Sequence, residues 1–295
     1  MDEHVPSEIA KILEKCSVIR KQVELFIEQN KQEDARCDCN ELINGSSLAF
    51  IIATICDQRI KSEIIWKCTP DQKCIPNALY EWLTEQGLDF RASVIYRIGV
   101  DKLREWFREY MMDKWSKKTR KESEEWLKHI PGYIIESCEK IWREYNDDPD
   151  SIFIAGGEKL SVPLIYFMLR QLPGIGPKKA SMIARDFASG GCLLTCLRER
   201  LKRRGVNLEV THVYFSEMPV DVHVRRVFKR LGFSRYRESQ DFQNLARIIY
   251  PENPGLVDLF IWNLGKNICK RDKPKCQECP LNSICEEHSK QFKSS

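Results

Sequence analysis

The sequence predicts an all-α fold, and three observations carry that reading. Apolar residues recur at helical spacing along most of the chain. Strand-like alternation appears once and briefly, in "LEVTHVYF" (208–215). No apolar run is long enough to cross a membrane.

The elements follow in order. Residues 7–29 place Ile9, Ile12, Leu13, Cys16, Ile19, Val23 and Phe26 on one helical stripe. "RCDCNELINGSS" (36–47) reads as a loop whose end, Ser46 or Ser47, caps a helix running from Leu48 to Ile55. From 77 to 145 the chain is charged and helical, with Trp and Tyr at core-like intervals, and "NDDPDS" (146–151) breaks it. Helical patterns return over 161–187, 221–231, 239–250 and 256–268. There is no solenoid-period repeat and no low-complexity tract.

A chain of 295 residues, 42% hydrophobic, has enough apolar material for one large core or two ordinary ones. The polar, acidic start "MDEHVPSEIAKILEKC" does not read as a signal peptide. The expectation is therefore a soluble intracellular protein, in which cysteines are thiols or metal ligands rather than disulfides. The net charge of +4 says little about partners. The local runs say more: "LRERLKRRG" (197–205) and "CKRDKPK" (269–275) are basic, and "ESEE" (122–125) is acidic.

Four of the 13 cysteines fall in the last 27 residues. Cys269, Cys276, Cys279 and Cys285 are spaced C-x6-C-x2-C-x5-C. A two-residue gap lets neighbouring sulfurs turn toward one centre, and thiolates prefer soft metals. Four thiolates suit either a closed zinc site or a cubane 4Fe–4S cluster, and spacing alone does not choose. Cys37, Cys39, Cys68 and Cys74 form two further pairs, read as core or surface thiols in preference to a second metal site.

"LPGIG" (172–176) separates two helical segments. Gly174 and Gly176 can take backbone angles closed to other residues, and Pro177 suits the first turn of the next helix. The free N–H groups of that helix then point into the hairpin, where a phosphate can bind without any reading of sequence. An ordinary helix–helix turn is the competing reading.

The hairpin and the cysteine loop together resemble the helix–hairpin–helix DNA glycosylases of the endonuclease III family. "MPVDVHVRRVFKRLGF" (218–233) is similar to that superfamily's "VDTH…RV" segment, and its "PVDVH" also to 8-oxoguanine glycosylases. "WNLGKNIC" (262–269) is similar to the family's approach to the first cluster ligand. The resemblance covers 160–286 well and 45–75 weakly. It implies a 4Fe–4S cluster rather than zinc, held by Cys269, Cys276, Cys279 and Cys285. It also implies two helical domains: a six-helix domain with the hairpin (45–190), and a second one (1–44 with 191–295) carrying the cluster loop.

The same resemblance implies chemistry. At LPGxGxK, family members that also cleave the strand carry a lysine, here Lys178. Its amine must lose a proton before attacking C1′ of the sugar, which calls for burial or a nearby cation. Lys179 is the adjacent competitor; about 100° of helical rotation separates the two, so only one faces a given side. Asp221 matches the essential aspartate, whose carboxylate stabilises positive charge growing on the sugar; it is equally well placed as a helix N-cap. Gln58, after the first apolar helix, is the candidate to fill the gap left by a flipped base, with Asp57 beside it. Lys270, Arg271, Lys273 and Lys275 in the cluster loop, with Gly174 and Gly176, are the candidate phosphate contacts.

One departure stands out. Lys178 and Asp221 are farther apart in sequence than the resemblance implies, and the extra residues include 192–215. The Arg198–Arg204 stretch there either extends a DNA-binding face or is a solvated helix. The leading expectation is a monomeric base-excision glycosylase with abasic-site lyase activity, acting on double-stranded DNA with a damaged or modified base. The alternatives are a glycosylase in which Asp221 activates water, and a non-catalytic iron–sulfur DNA-binding protein.

Overall fold

A computed structural model describes residues 7–34, 38–58, 60, 62–66, 74–111, 120–155 and 157–293. The chain divides into two compact units: Met1–Arg36 with Ser181–Ser189 and His212–Ser295, and Cys37–Ala180 with Gly190–Thr211. The mainly helical expectation holds.

The second of these units carries the hairpin. After α1 (Ser7–Asp34) come α2 (Leu42–Gly45) and α3 (Ser47–Cys56). Ser46 is the N-cap of α3, its Oγ accepting from the Ala49 N–H. Every residue of α3 except Phe50 is buried, which explains its unbroken apolar run. It packs against α5 (Ile75–Glu85) and α8 (Arg120–Glu144), and α8 also carries α6 (Ala92–Ile98) and α7 (Val100–Met111). A short α4 (Ser62–Trp66) lies between α3 and α5 in sequence. The break at 146–151 is real: Asn146 and Asp147 have positive φ, and a 3-10 turn, Pro149–Phe153, follows.

α9 (Val162–Arg170) and α10 (Pro177–Ser189) flank the glycine turn. The long 192–215 segment is ordered. It forms α11 (Cys192–Arg203), then β2 (Glu209–Thr211), paired in parallel with β1 (Lys159–Ser161). These are the strands found among the described residues. The alternating run 208–215 yields only three strand residues because His212 turns left-handed (φ 58°) and Val213–Phe215 winds into a 3-10 turn.

α11 answers the question about its arginines. Arg200 grips Asp150 with Nε and Nη2 at 2.9 and 2.8 Å, and Nη2 also reaches Ser47 Oγ at 3.0 Å. Arg204 pairs with Asp148, and Arg198 donates to the Leu208 carbonyl. Three of the basic side chains are thus spent inside the unit.

The thiol expectation fails at Cys39 and Cys74. Cys39 is bonded to Cys196, with 5.4 Å between Cα atoms, and Cys74 and Cys192 are disulfide-bonded too. Packing of α11 against α2 and α3 brings together sulfurs that are 157 residues apart in sequence, which no local spacing reveals. Cys37 and Cys68 lie outside the described residues.

The other unit packs α1 against α12 (Val222–Arg230), α13 (Ser239–Ile249) and α14 (Leu256–Asn267), with α15 (Glu286–Lys293) at the end. Ile19, Val23, Phe228, Phe242, Ile249 and Ile261 form the centre of its core. Arg185 is buried there with Asp258 and Asp186, an ion pair removed from water.

Candidate nucleic-acid interface and cysteine centre

The hairpin uses its two glycines differently. Gly174 has φ +81°, and a Cβ there would lie 2.9 Å from Tyr133 Cβ and 3.0 Å from Ile55 Cγ2. Gly176 has no positive φ and open space where a side chain would stand. Gly174 uses the backbone freedom that both glycines have; Gly176 leaves the backbone bare. Arg170 closes the turn from below, donating to the Ile175 carbonyl at 2.9 Å. Among the described residues the N–H groups of Gly176 and Lys178 have no acceptor, so the start of α10 keeps its donors for an anion.

The two lysines separate as the rotation argument requires. Lys178 is exposed, and its amine has no partner among the described residues. Lys179 is 8% exposed and donates to the Ile55 carbonyl at 2.7 Å and the Gly174 carbonyl at 3.0 Å. Burial pushes its amine down to about 8, against the pull of Cys56 and Asp57. Asp57 is the C-cap of α3, and a tight turn in which the Gln58 N–H meets the Cys56 carbonyl at 2.7 Å leaves Gln58 half-buried just beyond it.

Asp221 is the N-cap of α12: its Oδ1 accepts from the His223 and Val224 N–H groups at 2.8 and 2.9 Å. Oδ2 has no partner among the described residues. The capping role is therefore present, and one oxygen is left over. Lys178 and Asp221 belong to different units.

Cys269, Cys276, Cys279 and Cys285 are free thiols lining one cavity of about 30 Å³ that is partly open to solvent. Two 3-10 turns, Cys276–Glu278 and Asn282–Ile284, wind the loop back so that the sulfurs share that space, and buried Leu281 anchors it. Burial pushes the Cys279 thiol up to about 11, with the other three thiols adding to it, and raises Cys285 for the same reasons. Such thiols ionise only against a positive centre. Among the described residues no three His, Cys, Asp or Glu side chains gather on one point as a single-ion site. Four thiols lining one space are a donor set that fits a thiolate-held centre such as a cubane cluster.

Two arginines that sequence reading did not single out hold this loop. Arg226 donates to the carbonyls of Cys269 (2.8 Å) and Gly265 (2.7 Å). Arg230 reaches Cys269 Sγ at 3.5 Å and the carbonyls of Lys270 and Arg271 at 2.7 and 2.8 Å. Their i, i+4 spacing in "VHVRRVFKR" was the available signal. Of the basic candidates, Lys270, Arg271 and Lys273 are exposed, and Lys275 is shared with Glu278 at 3.1 Å.

No protein-family model matches the chain. Among curated proteins it is similar to endonuclease III of Bacillus subtilis, 33% identical over 124 residues, which is 39% of this chain and 56% of that protein. It is also 30% identical over 104 residues to endonuclease III of Thermotoga maritima, covering 33% and 49%. The chain spans about half the length of these relatives. In three dimensions it matches a trapped endonuclease III–DNA covalent intermediate with a TM-score of 0.54 at 17% identity, covering 92% of this chain and 98% of that one. A thermostable thymine-DNA glycosylase matches with a TM-score of 0.54 at 14% identity, covering 94% and 98%. Over these stretches the sequence is similar to that of endonuclease III proteins. At these identities the structural likeness establishes the endonuclease III fold. No helix of the described residues is long and apolar enough to cross a membrane.

Proposed function

We propose that the chain is a base-excision DNA glycosylase with abasic-site lyase activity, acting as a monomer on double-stranded DNA inside the cell. The observation that carries this reading is the division of labour at the hairpin: Lys178 presents an unpartnered amine beside open backbone N–H groups, while Lys179 is tied to two carbonyls. A phosphate of the DNA backbone is held at Gly176 and the start of α10, and Lys270, Arg271 and Lys273 supply further phosphate contacts. Gln58 fills the space left in the stack by the extruded nucleotide.

Lys178 Nζ, once neutral, attacks C1′ as the bond to the base breaks, and the base leaves with the bonding electron pair. Oδ2 of Asp221 stabilises the positive charge that develops on the sugar. The C1′–O4′ bond then breaks as the proton carried by the attacking nitrogen passes to O4′, which opens the sugar and leaves a Schiff base; this loses a proton from C2′, and β-elimination expels the 3′ phosphate. The four cysteines would hold a 4Fe–4S cluster, which when bound supplies a rigid, basic loop and takes no part in these steps. The fold the chain shares with an endonuclease III–DNA covalent complex and a thymine-DNA glycosylase is in keeping with this class of reaction.

Borohydride reduction with abasic-site duplex is the test. A covalent adduct in the wild-type protein that Lys178→Met abolishes is the expected result. Base release with no adduct would favour water activated by Asp221, and neither base release nor an adduct would leave a DNA-binding protein without catalysis.

A further inference from the structure

Lys179 is an unusual group to bury. A long cationic side chain that is 8% exposed normally faces a carboxylate, yet its two hydrogen-bond acceptors are carbonyls, Ile55 O and Gly174 O. Ile55 lies in the last turn of α3, where carbonyls have no partner in the helix and carry the negative end of its dipole. Gly174 is the left-handed position of the hairpin. One ammonium therefore satisfies an orphan carbonyl at the end of one element and another at the apex of the next. The charged and titratable groups around it are Cys56 and Asp57 from α3 and Lys178 from its own helix.

We infer that Lys179 is a positioning residue, a buried ammonium strut that locks the glycine hairpin against the C-terminal end of α3 and so fixes Lys178 relative to Gln58. The clause about Lys178 and Gln58 rests on the proposed function; the strut itself does not. Burial makes the neutral amine, which keeps two donors, the form the closed site favours, so the strut tightens relative to the opened state as pH rises through about 8.

Lys179→Met and Lys179→Arg decide it, with native-state hydrogen exchange at the Asp57, Gln58 and Ile175 amides, affinity for duplex with a tetrahydrofuran abasic analogue, and borohydride trapping. Lys179→Met is expected to speed exchange at those amides about tenfold, the scale of two lost hydrogen bonds. Affinity falls by about the same factor, while trapping at saturating DNA persists. Lys179→Arg restores most of the protection. Unchanged exchange in Lys179→Met overturns the strut, as does trapping that survives Lys178→Met and is lost in Lys179→Met. Should the wild type neither bind nor be trapped, the proposed function fails while the exchange comparison still decides the strut. Should Lys179→Met not fold, the wild type carries the test: protection of these amides, relative to the rest of the unit, rises across pH 8, and a constant or falling ratio overturns the inference.

Discussion

Replacing Gly174 by alanine should unfold the hairpin unit far more readily than the same change two residues later. At Gly174 the new Cβ meets Tyr133 Cβ at 2.9 Å and both Ile55 Cγ2 and Tyr133 Cδ2 at 3.0 Å, with φ at +81°. The left-handed backbone costs an alanine about 1–2 kcal/mol. Overpacking against two residues anchored in α3 and α8 adds about 1–3 kcal/mol. The sum, about 2–5 kcal/mol, is a large part of an ordinary domain's stability. Gly176→Ala meets nothing within 4 Å at a φ open to alanine, so its stability change stays within about 0.5 kcal/mol. Its methyl group instead covers the open N–H groups and lowers DNA affinity. Urea unfolding followed by circular dichroism measures the first effect, and a duplex-binding titration the second. A Gly174→Ala loss under about 1 kcal/mol, or an equal loss at Gly176, would refute the assignment of packing to one glycine and ligand approach to the other.

Three further outcomes can be checked. Arg200→Ala leaves the Asp150 carboxylate buried without its bidentate partner and should cost about 3–5 kcal/mol in chemical unfolding. Burial alone raises the Asp150 carboxyl, but hydrogen bonds from Arg200 and Ser47 bring it below its ordinary 3.8. A carboxyl lowered in the folded state stabilises above that value and loses the contribution as pH falls through the folded one, so acid unfolding of Asp150→Asn should show a shallower decline below about pH 4. Reducing the Cys39–Cys196 bond, which closes a loop with a sequence separation of 157, should lower stability by about 2–5 kcal/mol, read as a drop in melting temperature with reductant. Cys276→Ser should lose bound iron and acid-labile sulfide, assayed chemically, while the hairpin unit keeps its melting transition.

The helices were legible because periodicity and capping are local. Ser46, Pro177 and Asp221 each start a helix where the sequence places the start, and "NDDPDS" breaks the chain where it should. What escaped is non-local. The disulfide between Cys39 and Cys196 depends on α11 folding back over α2, and the strand pair 159–161 with 209–211 joins segments 50 residues apart. Lys178 and Lys179 could be told apart only in principle from a helical wheel; which one faces inward is set by where the end of α3 lies. Neither reading of the arginines of 198–204, a binding face or a solvated helix, foresaw their ion pairs, because the partners Asp148 and Asp150 sit some 50 residues earlier in an acidic turn.

The cluster loop and the carboxylate candidate are one mechanical object. Asp221 caps the first turn of α12, and Arg226 and Arg230, on one face of the same nine-residue helix, hold Gly265, Cys269, Lys270 and Arg271. Four donated bonds to backbone carbonyls and a thiol join the helix to the loop, and a fifth ties it to Gly265 in α14, each charge-assisted and so stronger than a neutral bond. A change in the loop therefore pulls on α12 along its length, and its N-terminus is where the free oxygen of Asp221 stands. A metal held by the four thiols would thereby act on Asp221 through the protein: it would fix the loop, the loop the helix, and the helix the carboxylate. The basic side chains of the loop project from that same fixed backbone, so loss of the centre should weaken phosphate contacts and misplace Asp221 together rather than either one alone.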